Sequence, residues 1–206
     1  MLGIVGGTGS GKSTIARLIR HAYTSDTGKV MIFGKDINDY GKDDITSLIS
    51  NVPQKPWLFS GSIRENISVK KDIEDEKIIR ALKAACAYDF VEKKGGLDAR
   101  VKARGANFSG GQRQRLTIAR AIARESAIFI FDDSTSALDA VTEREVIANI
   151  RNLGATAIII SQRCSSVKSC DDILVMDGGW CIGSGTHEEL LRTNDVYREI
   201  YEVGIS

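Results

Sequence analysis

The sequence has almost no net charge. Lys+Arg 28 stand against Asp+Glu 27 in 206 residues, so the electrostatic footprint of a general nucleic-acid binder is missing, and no nucleic-acid partner is expected. The four cysteines, Cys86, Cys164, Cys170 and Cys181, form no C-x-x-C pair, which argues against a zinc site. No secretory signal precedes them, and they read as reduced cytosolic thiols. Long apolar runs are absent too: "AIFIF" and "AIII" are far too short to cross a bilayer, and the chain is expected to be soluble by itself. No internal repeat or low-complexity linker divides it. At this length, with 42% apolar residues, one domain with a real core is expected, with room for a small subdomain.

Short apolar stretches alternate with helical patterns. "MLGIV", "KVMIF", "AIFIF", "ATAIII" and "DILVM" read as strands. "STIARLIRHAY", residues 73–93, "GGQRQRLTIARAIARE", "TEREVIANIRNL" and "HEELLRTNDVYREIYE" read as helices. "DGG" before "WCIG" signals a hairpin. This alternation predicts an α/β fold with a mostly parallel sheet covered by helices.

Between the first strand and the first helix lies "GGTGSGKS", Gly6–Ser13, which fits G-x-x-x-x-G-K-[ST]. Glycines let a backbone curl with its N–H groups turned on a phosphate, and the helix N-terminus adds positive potential. Gly6, Gly7, Thr8, Gly9, Ser10, Gly11, Lys12, Ser13 and Thr14 are the candidate nucleotide-binding residues. Lys12 would reach the β/γ-phosphates, and Ser13 would ligate Mg²⁺. The plain alternative is a Gly-rich turn with an incidental lysine. Downstream, "FIFDDSTSALD" is a buried strand ending in two carboxylates, Asp132 and Asp133, which are costly to bury without a cation or donor. A strand-end aspartate after a phosphate loop suits Mg²⁺ held through its water shell, although a helix-capping role also fits Asp132. Asp139 is equally a plain N-cap for a helix starting near Val141.

A third segment, "FSGGQRQR" (Phe108–Arg115), sharpens the reading. Phosphate loop, SGGQ, the helix "LTIARAIAR", Asp132 and "SALD", in this order, resemble the ATP-binding-cassette ATPases along essentially the whole chain. "FSGSIRENI", "DDSTSALD" and "GSGTHEELL" are similar to nucleotide-binding domains of exporter-type transporters. The resemblance implies a P-loop NTPase fold in a single domain, 1–206. It has a mostly parallel sheet flanked by helices and a helical subdomain over about 60–125. An N-terminal antiparallel β-subdomain would be incomplete. ATP and Mg²⁺ are the implied cofactors. Ser109, Gly110, Gly111 and Gln112 would meet the γ-phosphate of ATP held by a second such domain, head to tail, and Asp139 would cross that interface. Gln54 would meet Mg²⁺ or the attacking water and abut a transmembrane transporter domain. The chain would lie at the cytoplasmic face of the membrane, bound there only through a partner. "VKARGAN" (101–107) would touch the partner's coupling helices, and His187 would be a helix-terminal contact without catalytic duty.

Three departures from the family pattern stand out. The residue after Asp132 is Asp133, where active members carry a glutamate base; the carboxylate falls short by roughly 1 Å, a misplacement that can cost ~10²-fold. Gln162, in "IIISQR", replaces the histidine that contacts the γ-phosphate; a glutamine donates a hydrogen bond but carries no proton charge. Asp133, Gln162 and Gln54 remain the candidate catalytic residues of a weak site, as in the degenerate half of a heterodimeric exporter. Finally, no residue upstream of the loop is assignable to stacking on adenine, which implies an N-terminally truncated half-transporter. A non-transport cassette ATPase fits less well, since only 54 residues without heptads separate Gln54 from Ser109. An inert or regulatory nucleotide-binding fragment is the other alternative.

Overall fold

A computed structural model describes residues 1–69 and 71–204. The chain falls into two compact units, Met1–Ile49 with Thr156–Ser206, and Ser50–Ala155. The first opens with β1 (Leu2–Gly6), α1 (Lys12–Ile19), β2 (Met31–Ile32), β3 (Lys35–Asp36) and α2 (Lys42–Leu48). From β4 (Ile49–Val52) the chain enters the second unit. This holds β5 (Gly61–Ser62), α3 (Ile63–Ser68), α4 (Asp75–Ala84), α5 (Tyr88–Glu92), β6 (Arg100–Val101), α6 (Gly110–Ile122), β7 (Ile128–Asp132) and α7 (Ala140–Arg151). The first unit resumes with β8 (Thr156–Ser161), α8 (Cys164–Val167), β9 (Asp172–Asp177), β10 (Trp180–Gly185), α9 (His187–Thr193) and α10 (Asp195–Val203).

In the first unit the strand order is β10-β9-β1-β8. β1 runs parallel to both neighbours, with Leu2 opposite Ile158 on one side and Asp172 on the other. Only β10 is antiparallel, closing on β9 as a hairpin. Strands covered on both faces read as unbroken apolar runs, and Ile4, Val5, Ile159, Ile160, Ile173 and Val175 are buried accordingly. α1, α8 and α10 pack on β1. The expected mostly parallel α/β sheet with flanking helices is what forms.

The second unit sets β7 beside β4 and packs α3, α4 and α6 on one another. Ile63, Ile67, Ile78, Leu82, Leu116 and Ile118 are fully buried there. Each such side chain contributes roughly 1.5–3 kcal/mol by leaving water.

Three elements differ from the sequence reading. Residues 73–93 form two helices, because Cys86 adopts a left-handed φ of 54°. Ala87 N–H then donates to Leu82 O at 2.7 Å and Cys86 N–H to Lys83 O at 2.9 Å, a helix-ending pattern usually built on glycine. The last helix is also split. Asn194 is extended (φ −126°, ψ 109°), and its side chain accepts from Tyr197 N–H at 2.9 Å to start α10 afresh. "KVMIF" shrinks to Met31–Ile32, because Phe33 and Gly34 both take positive φ and turn the chain back into β3.

Candidate functional site

In the first unit, β1 delivers the chain into the glycine loop and α1 takes it out. Gly6 is required by close approach, since a Cβ there would lie 2.1 Å from Met176 O on β9. Gly11, at φ 96°, makes the left-handed turn that starts α1. Lys12 is only 8% exposed. Its ammonium donates to Gly6 O at 2.7 Å, Gly7 O at 2.6 Å and the Ser10 hydroxyl at 3.1 Å. Three acceptors of the loop therefore hold the cation at the loop's own centre. Space is open over Gly7 and Gly9 where side chains would otherwise stand. Ser13 and Thr14 sit exposed in the first turn of α1.

Parallel pairing places Val5 opposite Ser161, so Gln162, the next residue, emerges beside the loop. Thr8 donates its hydroxyl to Gln162 Oε1 at 3.2 Å. That leaves the carboxamide N–H₂ as the end of Gln162 suited to an anion. The Thr8–Gln162 contact was not legible in the sequence, where the two residues lie 154 positions apart.

In the second unit, Asp132 ends β7 and Asp133 follows in the left-handed region at φ 48°. Both are half-buried. Gln54 Nε2 donates to Asp133 Oδ2 at 2.7 Å. The structure thus brings together two residues that the sequence offered separately, and it does so by a direct hydrogen bond.

Ser109 caps α6 in a reciprocal pair. Its hydroxyl accepts from Gln112 N–H at 3.2 Å, while Gln112 Oε1 accepts from Ser109 N–H at 3.1 Å. Nothing stands within 4 Å of where a Cβ on Gly110 would be, so the helix start is open to an anion. Asp139 caps α7, accepting from Val141 and Thr142 N–H at 3.2 and 2.9 Å. The Thr142 N–H, then the Thr142 hydroxyl, hold its carboxyl below the usual range. Of the two readings of Asp139, the capping geometry is therefore present.

Two further segments carry contacts of their own. His187 begins α9 and bonds Tyr197 Oη through Nδ1 at 2.8 Å, a structural contact. In "VKARGAN", Asn107 accepts from Lys102 N–H and donates to Arg100 O, pinning the segment. Gln114 was missed altogether. It is fully buried on α6 and reaches Pro53 O at 3.3 Å. A polar residue at an inward position of an otherwise apolar helix face was the one available signal.

A profile of ABC transporters matches residues 1–136. The chain belongs to the ABC transporter family. This ABC domain is an ATP-binding domain of the ATPase type. It is 43% identical over 202 residues to an uncharacterized ABC transporter ATP-binding protein of Mycobacterium tuberculosis, covering 95% of this chain and 34% of the relative. A putative export ATP-binding/permease protein of Rickettsia bellii is 38% identical over 204 residues (98% and 36%). An ATP-dependent lipid A-core flippase of Francisella tularensis subsp. holarctica is 38% identical over 206 residues (98% and 34%). The solved structure of a bacterial Atm1-family ABC exporter with ATP bound superposes with a TM-score of 0.93 at 35% identity, over 100% of this chain and 37% of that one. The ABC domain thus spans about a third of the length of the curated relatives it matches.

The residues of the ABC domain fit ATP with Mg²⁺. The glycine loop offers a buried cation under open backbone. Each unit by itself also carries hard oxygen donors of the kind Mg²⁺ prefers, Ser13 in the first, and Asp132 and the Oε1 of Gln54 in the second.

Proposed function

We propose that this ABC domain binds MgATP at Gly6–Thr14. Paired head to tail with a second, different ABC nucleotide-binding domain, it couples ATP binding and hydrolysis to export through a transmembrane partner at the cytoplasmic face of the membrane. The single domain of residues 1–206, with its helical part over about 60–125, is part of this reading. So is a site of its own that hydrolyses slowly. Support for export comes from relatives named as an export ATP-binding/permease protein and as a flippase.

Bound ATP supplies the phosphoanhydride, and Mg²⁺ offsets the negative charge that develops on it. Lys12 is the main side-chain cation for the β/γ-phosphates. Ser13, Asp132 and Gln54 serve the metal or its waters. Gln162 donates an uncharged hydrogen bond where the family has a histidine. Ser109, Gly110, Gly111 and Gln112 present a helix N-terminus to the γ-phosphate of the partner's ATP, and Asp139 lies at that interface. Asp133 is the base of the site, weakened in two ways: its reach is short, and its Oδ2 already accepts from Gln54.

The observation that carries nucleotide binding is the placement of Lys12, whose ammonium is buried against Gly6 O and Gly7 O. Lys12→Ala should lower MgATP affinity at least ~100-fold, as expected for loss of charge-assisted bonds to phosphate. A fluorescent-nucleotide titration measures this, and an unchanged affinity rejects the phosphate-loop reading.

A further inference from the structure

Gln114 lies one turn into α6, among Leu116, Thr117 and Ile118, and is 0% exposed. A position like this is filled more cheaply by leucine or methionine. Burying a carboxamide costs free energy unless both ends are bonded. Only one end is: Nε2 donates to Pro53 O at 3.3 Å, while Oε1 is buried with no hydrogen-bond partner among the described residues. Stability alone does not select such a residue. What its donor holds is the backbone immediately before Gln54, and Gln54 in turn holds Asp133 Oδ2 at 2.7 Å. Gln114, Pro53, Gln54 and Asp133 all belong to the second unit. A continuous polar path therefore runs from α6, whose N-terminus carries Ser109–Gly111, through Pro53 and Gln54 to Asp133.

We propose that Gln114 is a positioning residue that, through the Pro53 carbonyl, sets the Gln54 side chain against Asp133 and ties the SGGQ helix to the carboxylate after β7. The inference rests on reading α6 as the γ-phosphate helix and Asp133 as the base. Its consequence is mechanical: a shift of α6 when its N-terminus meets an anion is passed to the Gln54–Asp133 pair. The element serving the partner's nucleotide thereby adjusts the carboxylate serving this chain's own.

The test uses the full chain, labelled with ¹⁵N, and the Gln114→Met variant, which keeps side-chain length and removes the amide. The side-chain N–H₂ resonances of Gln54 report the Asp133 hydrogen bond directly and need no nucleotide. These resonances should move toward those of a free glutamine amide, while the thermal midpoint stays level or rises because an unbonded buried acceptor is gone. With the partner's site inactivated, so that only this chain's own site turns over, kcat should fall about tenfold or more with KM within twofold, the pattern of a misplaced catalytic group. Gln114→Asn keeps the amide but is too short to reach Pro53, and it should move the same resonances; it decides the matter if the methionine variant does not fold. Unmoved Gln54 resonances in the folded variant, whatever its stability, overturn the proposal and leave Gln114 a packing residue. MgATP titration of the wild-type chain runs alongside. Failure to bind there would sink the phosphate-loop reading, not this one, which the Gln54 signal settles separately.

Discussion

Asp133 is one methylene shorter than the glutamate that the family uses, and Gln54 occupies one of its oxygens at 2.7 Å. If Asp133 is the base, as proposed, both bear on the same proton transfer: the carboxylate starts too far away and is already partly engaged. Restoring length and charge together should therefore raise hydrolysis. Asp133→Glu combined with Gln162→His is expected to increase single-site ATP turnover at least tenfold over wild type, measured by phosphate release in the assembled transporter. Equal rates would mean that the residue after β7 does not limit this site. Asp132→Asn is expected to weaken MgATP binding at this domain's loop while leaving Mg-free nucleotide binding nearly unchanged, since its proposed role is toward the metal. Isothermal titration with and without Mg²⁺ separates the two.

Helix boundaries carry their own predictions. α9 and α10 meet at Asn194, which caps α10 through Tyr197 N–H and holds β10 by donating to Ile182 O at 3.1 Å. Asn194→Ala should cost about 1 kcal/mol, read as a lower urea midpoint at unchanged slope. His187 at the start of α9 has its pKa lowered, first by burial, then by Lys168, with Glu188 opposing. The folded state therefore favours the neutral ring. Between the lowered folded value and the ordinary one near 6.5, the unfolded chain binds more protons, so stability is full above about pH 6.5 and declines as pH falls below it. His187→Phe should flatten that decline in thermal melts between pH 7 and pH 5. The same elements show what a sequence reveals. The Asn194 break was written in "TND", a capping residue inside an apparently continuous pattern. The α4–α5 break was not, because Cys86 takes the conformation that glycine normally marks. The phosphate loop and SGGQ were legible because each is contiguous and lies at a helix start. The Gln54–Asp133 and Thr8–Gln162 bonds join residues 79 and 154 positions apart, and no spacing rule encodes them.

At the scale of the molecule, the division of labour in the proposed pair predicts an asymmetry between two substitutions. Ser109→Arg, which fills the open N-terminus of α6, should nearly abolish turnover of the assembled transporter, because it blocks the helix that completes the partner's site. Asp133→Asn should barely change it. Phosphate release by the two variants beside wild type checks this, and the reverse ranking would assign the main hydrolytic duty to this chain's own site. The placement of β1 has a temporal side as well. That strand is sandwiched between β8 and β9, and Met1 bonds Asp171, 170 positions away. At ribosomal speeds of 5–20 residues per second, β1 waits on the order of 10–35 s with both edges bare before its neighbours emerge. The phosphate loop hanging from its end is therefore among the last features to mature, however early it is translated, and the nascent chain must be shielded from edge-to-edge association throughout that interval.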